Sequence, residues 1–280
     1  IASGGGAVNA AVTFARQGLS CAALFRTGSD RAGEDIASDI KHEGVEAWRA
    51  EAEDEATDQS VILLSPSGER TILTHRGASE SFPIAVVPFG KLKARWLYIA
   101  PSHIDPKVIG KIIGHAYAQG IAVALNPSAF YLENRGAHLK PLLPRVKMLM
   151  VNREEAAELT GMKRDDERGI FARLDGMVDG IAVMTDGPRG SWVSDGARLY
   201  HAGIFPNQKI LDRTGAGDAF GSGFVAGMIA KEDVAYAIRL ASANAAANVE
   251  AVGAHAGILS PGAFEQSPRW KKLDIIIPAI

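Results

Sequence analysis

Short, apolar, β-rich runs alternate with longer segments of helical periodicity through most of this 280-residue chain. Successive strand–helix–strand units need crossover connections. These build a mainly parallel sheet with helices on both faces, so the expected class is α/β with three α-β-α layers. Residues 7–17 carry Val8, Ala11, Val12 and Ala15 at helical spacing, and Gly18 stops that helix. Residues 21–25 read as a buried strand and 33–43 as a second helix. Strands are expected at 96–100, 121–125, 148–151 and 181–185, with helices at 106–119 and 154–159 among them. Two helices follow, 219–230 and 234–250. The second is alanine-rich, which suits tight packing against other helices.

One region departs from this layering. Residues 59–64 and 70–74 are β-rich and are joined by Ser65-Pro66-Ser67-Gly68-Glu69, a hairpin signature. A small β-sheet projecting as a lid, over about residues 45–78, accounts for it. A second hairpin is expected at 192–194 and 198–201.

Composition excludes several classes. The chain has 30 basic and 32 acidic residues, so no strong field draws it to nucleic acid or an anionic membrane. The run Lys163-Arg164-Asp165-Asp166-Glu167-Arg168 is mixed in sign and reads as a solvated turn. The single cysteine, Cys21, has no partner for an internal disulfide, which favours a reducing compartment. With no run of about 18 apolar residues and no apolar signal segment at its start, the chain is expected in the cytoplasm. None of the seven histidines pairs at metal-ligand spacing, and no G-x-x-x-x-G-K-[ST] loop occurs.

The most informative stretch is Leu211-Asp212-Arg213-Thr214-Gly215-Ala216-Gly217-Asp218-Ala219-Phe220. Gly215 and Gly217 allow a tight turn and close approach to a ligand. The helix that follows offers N–H groups and a positive dipole end to an anion. An aspartate there would repel a phosphate that was merely bound. It makes sense as a base that takes a proton from a hydroxyl attacking a phosphoryl group. For an isolated G-x-G-D, the reading of Asp218 as a helix cap would win; the longer string is far more specific.

This string resembles the D-T-T-G-A-G-D signature of the ribokinase-like (PfkB) carbohydrate and nucleoside kinases, with Arg213 in place of the usual threonine. The resemblance implies that Asp218 is the catalytic base and that Gly215, Ala216 and Gly217 form the anion hole. Gly4-Gly5-Gly6-Ala7-Val8-Asn9-Ala10-Ala11 is similar to the family's G-G-x-x-x-N-x-A. There Gly4, Gly5 and Asn9 would contact sugar hydroxyls; alone, Asn9 reads as a helix cap or a surface residue. Asn152-Arg153-Glu154-Glu155 resembles N-x-x-E, which implies that Glu155 acts on magnesium through water. Alone, Glu155 reads as a first-turn residue favoured by the helix dipole.

Thr185-Asp186-Gly187-Pro188-Arg189-Gly190 resembles T-x-G-x-x-G, placing Thr185, Gly187 and Gly190 along a nucleotide, with Asn152 nearby. Asn244 matches a helix that lines the adenine pocket. Arg76, in the returning lid segment, would reach substrate. In many members a potassium ion sits beside the anion hole, here near Asp212, Thr214 and the loop 253–257.

The resemblance implies one kinase domain over residues 1–280, with the family's first strand and its sugar-binding aspartate expected before Ile1. It implies ATP-dependent phosphoryl transfer to a hydroxyl of a small sugar or sugar derivative. A nucleoside acceptor, or a non-catalytic sugar- or nucleotide-binding protein on the same fold, are the alternatives. A homodimer through the lid is the one protein partner it suggests.

Overall fold

The computed structural model describes residues 2–64, 70–206 and 209–278. The chain divides into two compact units, one made of Ile1–Phe82 with Phe205–Leu273 and the other of Pro83–Ile204 with Asp274–Ile280.

The first unit opens with α1 (Gly6–Arg16), β1 (Ala22–Gly28), α2 (Arg31–His42) and β2 (Glu46–Ala52). Strands β1 and β2 pair in parallel from Ala22↔Glu46 to Gly28↔Ala52. Val8 and Ala11 of α1, Phe25 of β1 and Ile40 of α2 share one apolar cluster, so the helices cover the ladder with their periodic faces. Half-buried Cys21 packs against this cluster, and burial raises its thiol pKa. Residues 46–52 thus belong to a parallel ladder, whereas the antiparallel hairpin is β3 (Gln59–Leu64) with β4 (Arg70–His75). Its turn, Ser65-Pro66-Ser67-Gly68-Glu69, lies outside the described residues.

Two carboxylates anchor the root of this hairpin. Asp30 caps α2 by accepting from Gly33 N–H and also accepts from the N–H and hydroxyl of Thr57, which hold its pKa down at about 2. Asp58 accepts from the N–H groups of Gly77 and Ser79 and from the Ser79 hydroxyl.

The second unit carries β5 (Trp96–Ile99), α3 (Pro106–Ala118), β6 (Ala122–Leu125), α4 (Ala129–Gly136) and β7 (Met148–Asn152). It continues with α5 (Arg153–Thr160), α6 (Glu167–Asp175), β8 (Ile181–Thr185), β9 (Ser191–Ser194) and β10 (Leu199–Ala202). Strands β5 to β8 run parallel; β9, β10 and the short β11 (Ile275–Ile276) extend the sheet antiparallel. Met148, Leu149, Met150 and Val151 are all at most 3% exposed, as expected of a strand covered on both faces.

Helices α4 and α6 are absent from the sequence reading. The first lacks a side-chain cap. The second starts at Glu167, inside the mixed-charge run read wholly as a solvated turn, with Asp166 as its cap.

The first unit is completed by α7 (Ala216–Lys231), α8 (Val234–Val249) and α9 (Pro261–Gln266). Helices α7 and α8 pack through small residues. A Cβ on Gly227 would fall 2.6 Å from the Ala237 Cα, a contact no side chain tolerates. Among the described residues no helix is long and apolar enough to cross a membrane.

Candidate active site

Gly215 caps the start of α7 with φ +74° and lies so close to Ala254 that a Cβ would meet its carbonyl oxygen at 2.0 Å. Only glycine satisfies both demands. The turn puts Ala216, Gly217 and Asp218 in the first helical turn, where N–H groups lack intrahelical partners and the dipole end is positive. The Ala216 N–H makes a long 3.3 Å contact back to Arg213 O. Gly217 is exposed with open space at its α-carbon, so a ligand can approach the backbone there.

Asp218 is half-buried. Burial pushes its carboxyl pKa up, and a 2.8 Å hydrogen bond donated by Asn9 Nδ2 partly opposes that. Asn9 comes from α1, and is only 4% exposed. Its Oδ1 lies 3.2 Å from His255 Nδ1. This differs from the expected role of Asn9 as a contact for a vicinal diol, because both ends of the amide are engaged by protein. Gly4 and Gly5 stay exposed at the start of α1, with Gly5 O accepting the Asn9 N–H at 2.9 Å.

Asp212 is 3% exposed and accepts from Thr214 N–H at 2.9 Å and Gly253 N–H at 3.1 Å, tying the signature to the loop after α8. Asn248 donates to Thr214 O and Ala254 O, which brings it beside Thr214. The Thr214 hydroxyl and Asn248 Oδ1 are buried without a hydrogen-bond partner in the structure. Two orphaned oxygens beside a buried carboxylate suit a hard monovalent cation.

Asn244 is fully buried and its amide is committed. It donates to Ala219 O at 2.9 Å and accepts from Leu259 N–H at 3.0 Å. It joins α8 to α7 and to the following loop, so lining an adenine pocket is not the role its side chain has here. Arg76 follows β4 with its guanidinium 3.9 Å from Glu80.

The other motif residues gather in the second unit. Asn152 and Thr185 are register partners at the carboxyl ends of β7 and β8, where open α/β sheets bind ligands. Asn152 and Glu155 form a reciprocal capping box: Asn152 Oδ1 accepts from Glu155 N–H at 2.9 Å, and Glu155 Oε2 accepts from Asn152 N–H at 2.7 Å. Burial, aided by nearby Glu154, raises the Glu155 pKa despite that bond. A cation would relieve this carboxylate, so the residue fits a magnesium role.

Asp186 N–H donates to Gly190 O at 2.8 Å, closing the turn that carries Gly187 and Gly190. A cavity of about 530 Å³ is lined by Asn152, Thr185 and Gly187 together with Arg153, Arg164 and Arg189. Its volume suits a nucleotide, while its arginines are paired with carboxylates of the same wall: Arg153 with Glu167 and Asp186, Arg164 with Glu154, and Arg189 with Asp186. Arg153 and Arg189 also grip buried Asp186, both at 2.7 Å, and so link the two motifs. Sequence reasoning missed His255, Asn248 and these arginines. Their signal was adjacency: each stands within or beside a motif already singled out.

Comparison with known proteins agrees with the signatures. A model of the pfkB family carbohydrate kinases matches residues 1–260. An uncharacterized sugar kinase of Archaeoglobus fulgidus is 25% identical over 88% of this chain and 97% of its own. A ribokinase of Haemophilus influenzae is 28% identical over 92% of this chain and 84% of its own. The crystal structure of adenosine kinase from Sinorhizobium meliloti superposes with a TM-score of 0.83 at 25% identity, covering 90% of this chain and 79% of that one. With its signatures in order along a chain matched almost throughout, this protein belongs to the pfkB family of carbohydrate kinases.

Proposed function

We propose that this kinase transfers the γ-phosphoryl group of ATP to a hydroxyl of a small sugar or sugar derivative, with Asp218 as general base. The observation that carries the reading is the placement of Asp218: a carboxylate with a raised pKa, held by Asn9, in the first turn of a helix that begins in a glycine turn. The helix start favours negative charge, while burial raises the carboxyl pKa and so strengthens Asp218 as a proton acceptor.

The acceptor O–H gives its proton to an Asp218 oxygen as the new O–P bond forms and the bond to the leaving ADP breaks. The N–H groups of Gly215, Ala216 and Gly217 stabilise charge on the transferred group. Asn152, Thr185, Gly187 and Gly190 hold the nucleotide, the first three from the wall of the cavity. Magnesium would be held, through water, by Glu155, and supplies charge neutralisation on the phosphates. Potassium would be held by Asp212, Thr214 and Asn248, and strengthens the positive end of α7. The β3–β4 hairpin acts as a lid over the acceptor and excludes water, with Gly4, Gly5 and Arg76 on the acceptor side.

The experiment is a coupled ADP-release assay with ATP, magnesium and potassium across ribose, fructose, phosphorylated hexoses, adenosine and cytidine. Asp218→Asn is expected to lose roughly 10²–10⁴-fold in turnover while still binding ATP. Near-normal turnover in that variant overturns the reading. Adenosine or cytidine as the accepted substrate would establish the nucleoside alternative, which the likeness to an adenosine kinase favours.

A further inference from the structure

Asn9 does not meet Asp218 in isolation. On its other side, Asn9 Oδ1 lies 3.2 Å from Nδ1 of His255, in the loop after α8. An ionised carboxylate can only accept, so Asn9 must present Nδ2–H to Asp218. Its rigid amide then turns Oδ1 towards His255, and an oxygen there is satisfied only if Nδ1 carries a proton. The two hydrogen bonds therefore specify each other. A flipped amide would set oxygen against carboxylate.

The histidine is itself fixed from α1. Arg16, two helical turns after Asn9 on the same face, donates to the carbonyls of His255, Ala256 and Ile258 at 3.1, 3.3 and 3.3 Å. Arg16 in turn is held by a bidentate pair with Glu43, at 2.8 and 2.6 Å. Gln17 adds a 2.6 Å bond to Leu259 O. One helix thus carries Asn9 and also clamps the loop that orients Asn9.

We infer that His255 is a positioning residue for phosphoryl transfer, locking the Asn9 amide in the one orientation that donates to Asp218. The inference rests on Asp218 being the base. Burial and then the Arg16 charge push the His255 pKa below its usual value, against weaker pulls from Glu43 and Asp39, so the ring is neutral near pH 7. Its one proton then sits on Nδ1. The lock also survives protonation of the ring, because imidazolium keeps the Nδ1–H.

The test uses full-length protein labelled with ¹³C-carboxyl aspartate, in which the signal missing from Asp218→Asn reports Asp218. His255→Leu and His255→Phe remove the donor; His255→Gln keeps an N–H. Either donor-less variant is expected to raise the Asp218 titration midpoint by roughly 0.5–1 pH unit, the loss of about one hydrogen bond. With ribose or adenosine, whichever is turned over, kcat should fall roughly tenfold while KM for ATP holds. His255→Gln should restore most of both, and in an Asn9→Ala background His255→Leu should shift nothing further. An Asp218 midpoint unchanged in the donor-less variants, or Gln behaving like Leu, overturns the inference. Retained turnover in Asp218→Asn would instead remove Asp218 as base, and the NMR comparison would still report whether His255 holds Asn9.

Discussion

Asp218 shows how a residue can be costly to the fold and useful to the reaction. Its carboxyl pKa is raised by burial, so the ionised form, which the proposed chemistry needs, is disfavoured in the folded state. Two outcomes follow with opposite signs. Activity is lost as pH falls through the raised folded value, so the acid limb of kcat/KM should lie above the usual aspartate range; a limb at the ordinary carboxylate value would contradict this. Stability runs the other way. A raised carboxylate stabilises the fold below its unfolded pKa, and that contribution is gone once pH exceeds the folded pKa. At neutral pH, Asp218→Asn should therefore melt at or above the wild-type Tm in calorimetry, although its turnover is lost. The orphaned oxygens of Thr214 and Asn248 argue for a cation in the same way. Turnover in potassium chloride is expected to exceed that in tetramethylammonium chloride, and Thr214→Val should narrow the gap. Equal rates in the two salts would exclude the cation role.

The elements explain why these residues stay in place. Helix α7 presents glycine and alanine to α8, and the close approach lets Asn244 and Asn248 reach from α8 to the N-terminal turn of α7 and the loop beyond. Gly227→Val drives a side chain into the Ala237 backbone, an overpacking worth about 1–3 kcal/mol. For a chain of this size that lowers Tm by roughly 2–10 °C, with KM for ATP unchanged. An unaltered Tm would mean that the helices can part at no cost. The β3–β4 hairpin is built differently. Its strands expose Val61, Leu63 and Leu73 at 55–59%, while its root is fixed by Asp30 and Asp58. Asp58→Ala removes three accepted hydrogen bonds there, and hydrogen exchange in residues 59–64 and 70–75 should speed up with little change in the β7–β8 strands.

At the scale of the whole chain, the first unit is assembled from two stretches separated by more than a hundred residues, whereas nearly all of the second is continuous. The Asn9–Asp218 and Asn9–His255 contacts can form only once the C-terminal helices exist. A fragment of residues 83–204 keeps its parallel strands and their helices, and should fold with a cooperative melt by circular dichroism. A fragment of residues 1–82 leaves the buried face of α1 without α7, and should be insoluble or unstructured. The opposite result would move the folding unit. Much of this was legible in the chain: periodicity and caps marked β5 to β8 and their main helices, and the long signature around Asp218, through its family resemblance, pointed to the candidate site. Residues 46–52 escaped because Glu46, Arg49 and Glu51 interrupt the apolar run that marks the other parallel strands. His255 and the committed amides of Asn9 and Asn244 escaped because a hydrogen-bond partner more than two hundred positions away, or across a helix pair, is decided by packing and not by neighbours in sequence. The sequence by itself determined the family and the residues proposed for the chemistry; the tertiary structure decided which side chains remain open to a ligand and which are spent on holding the others.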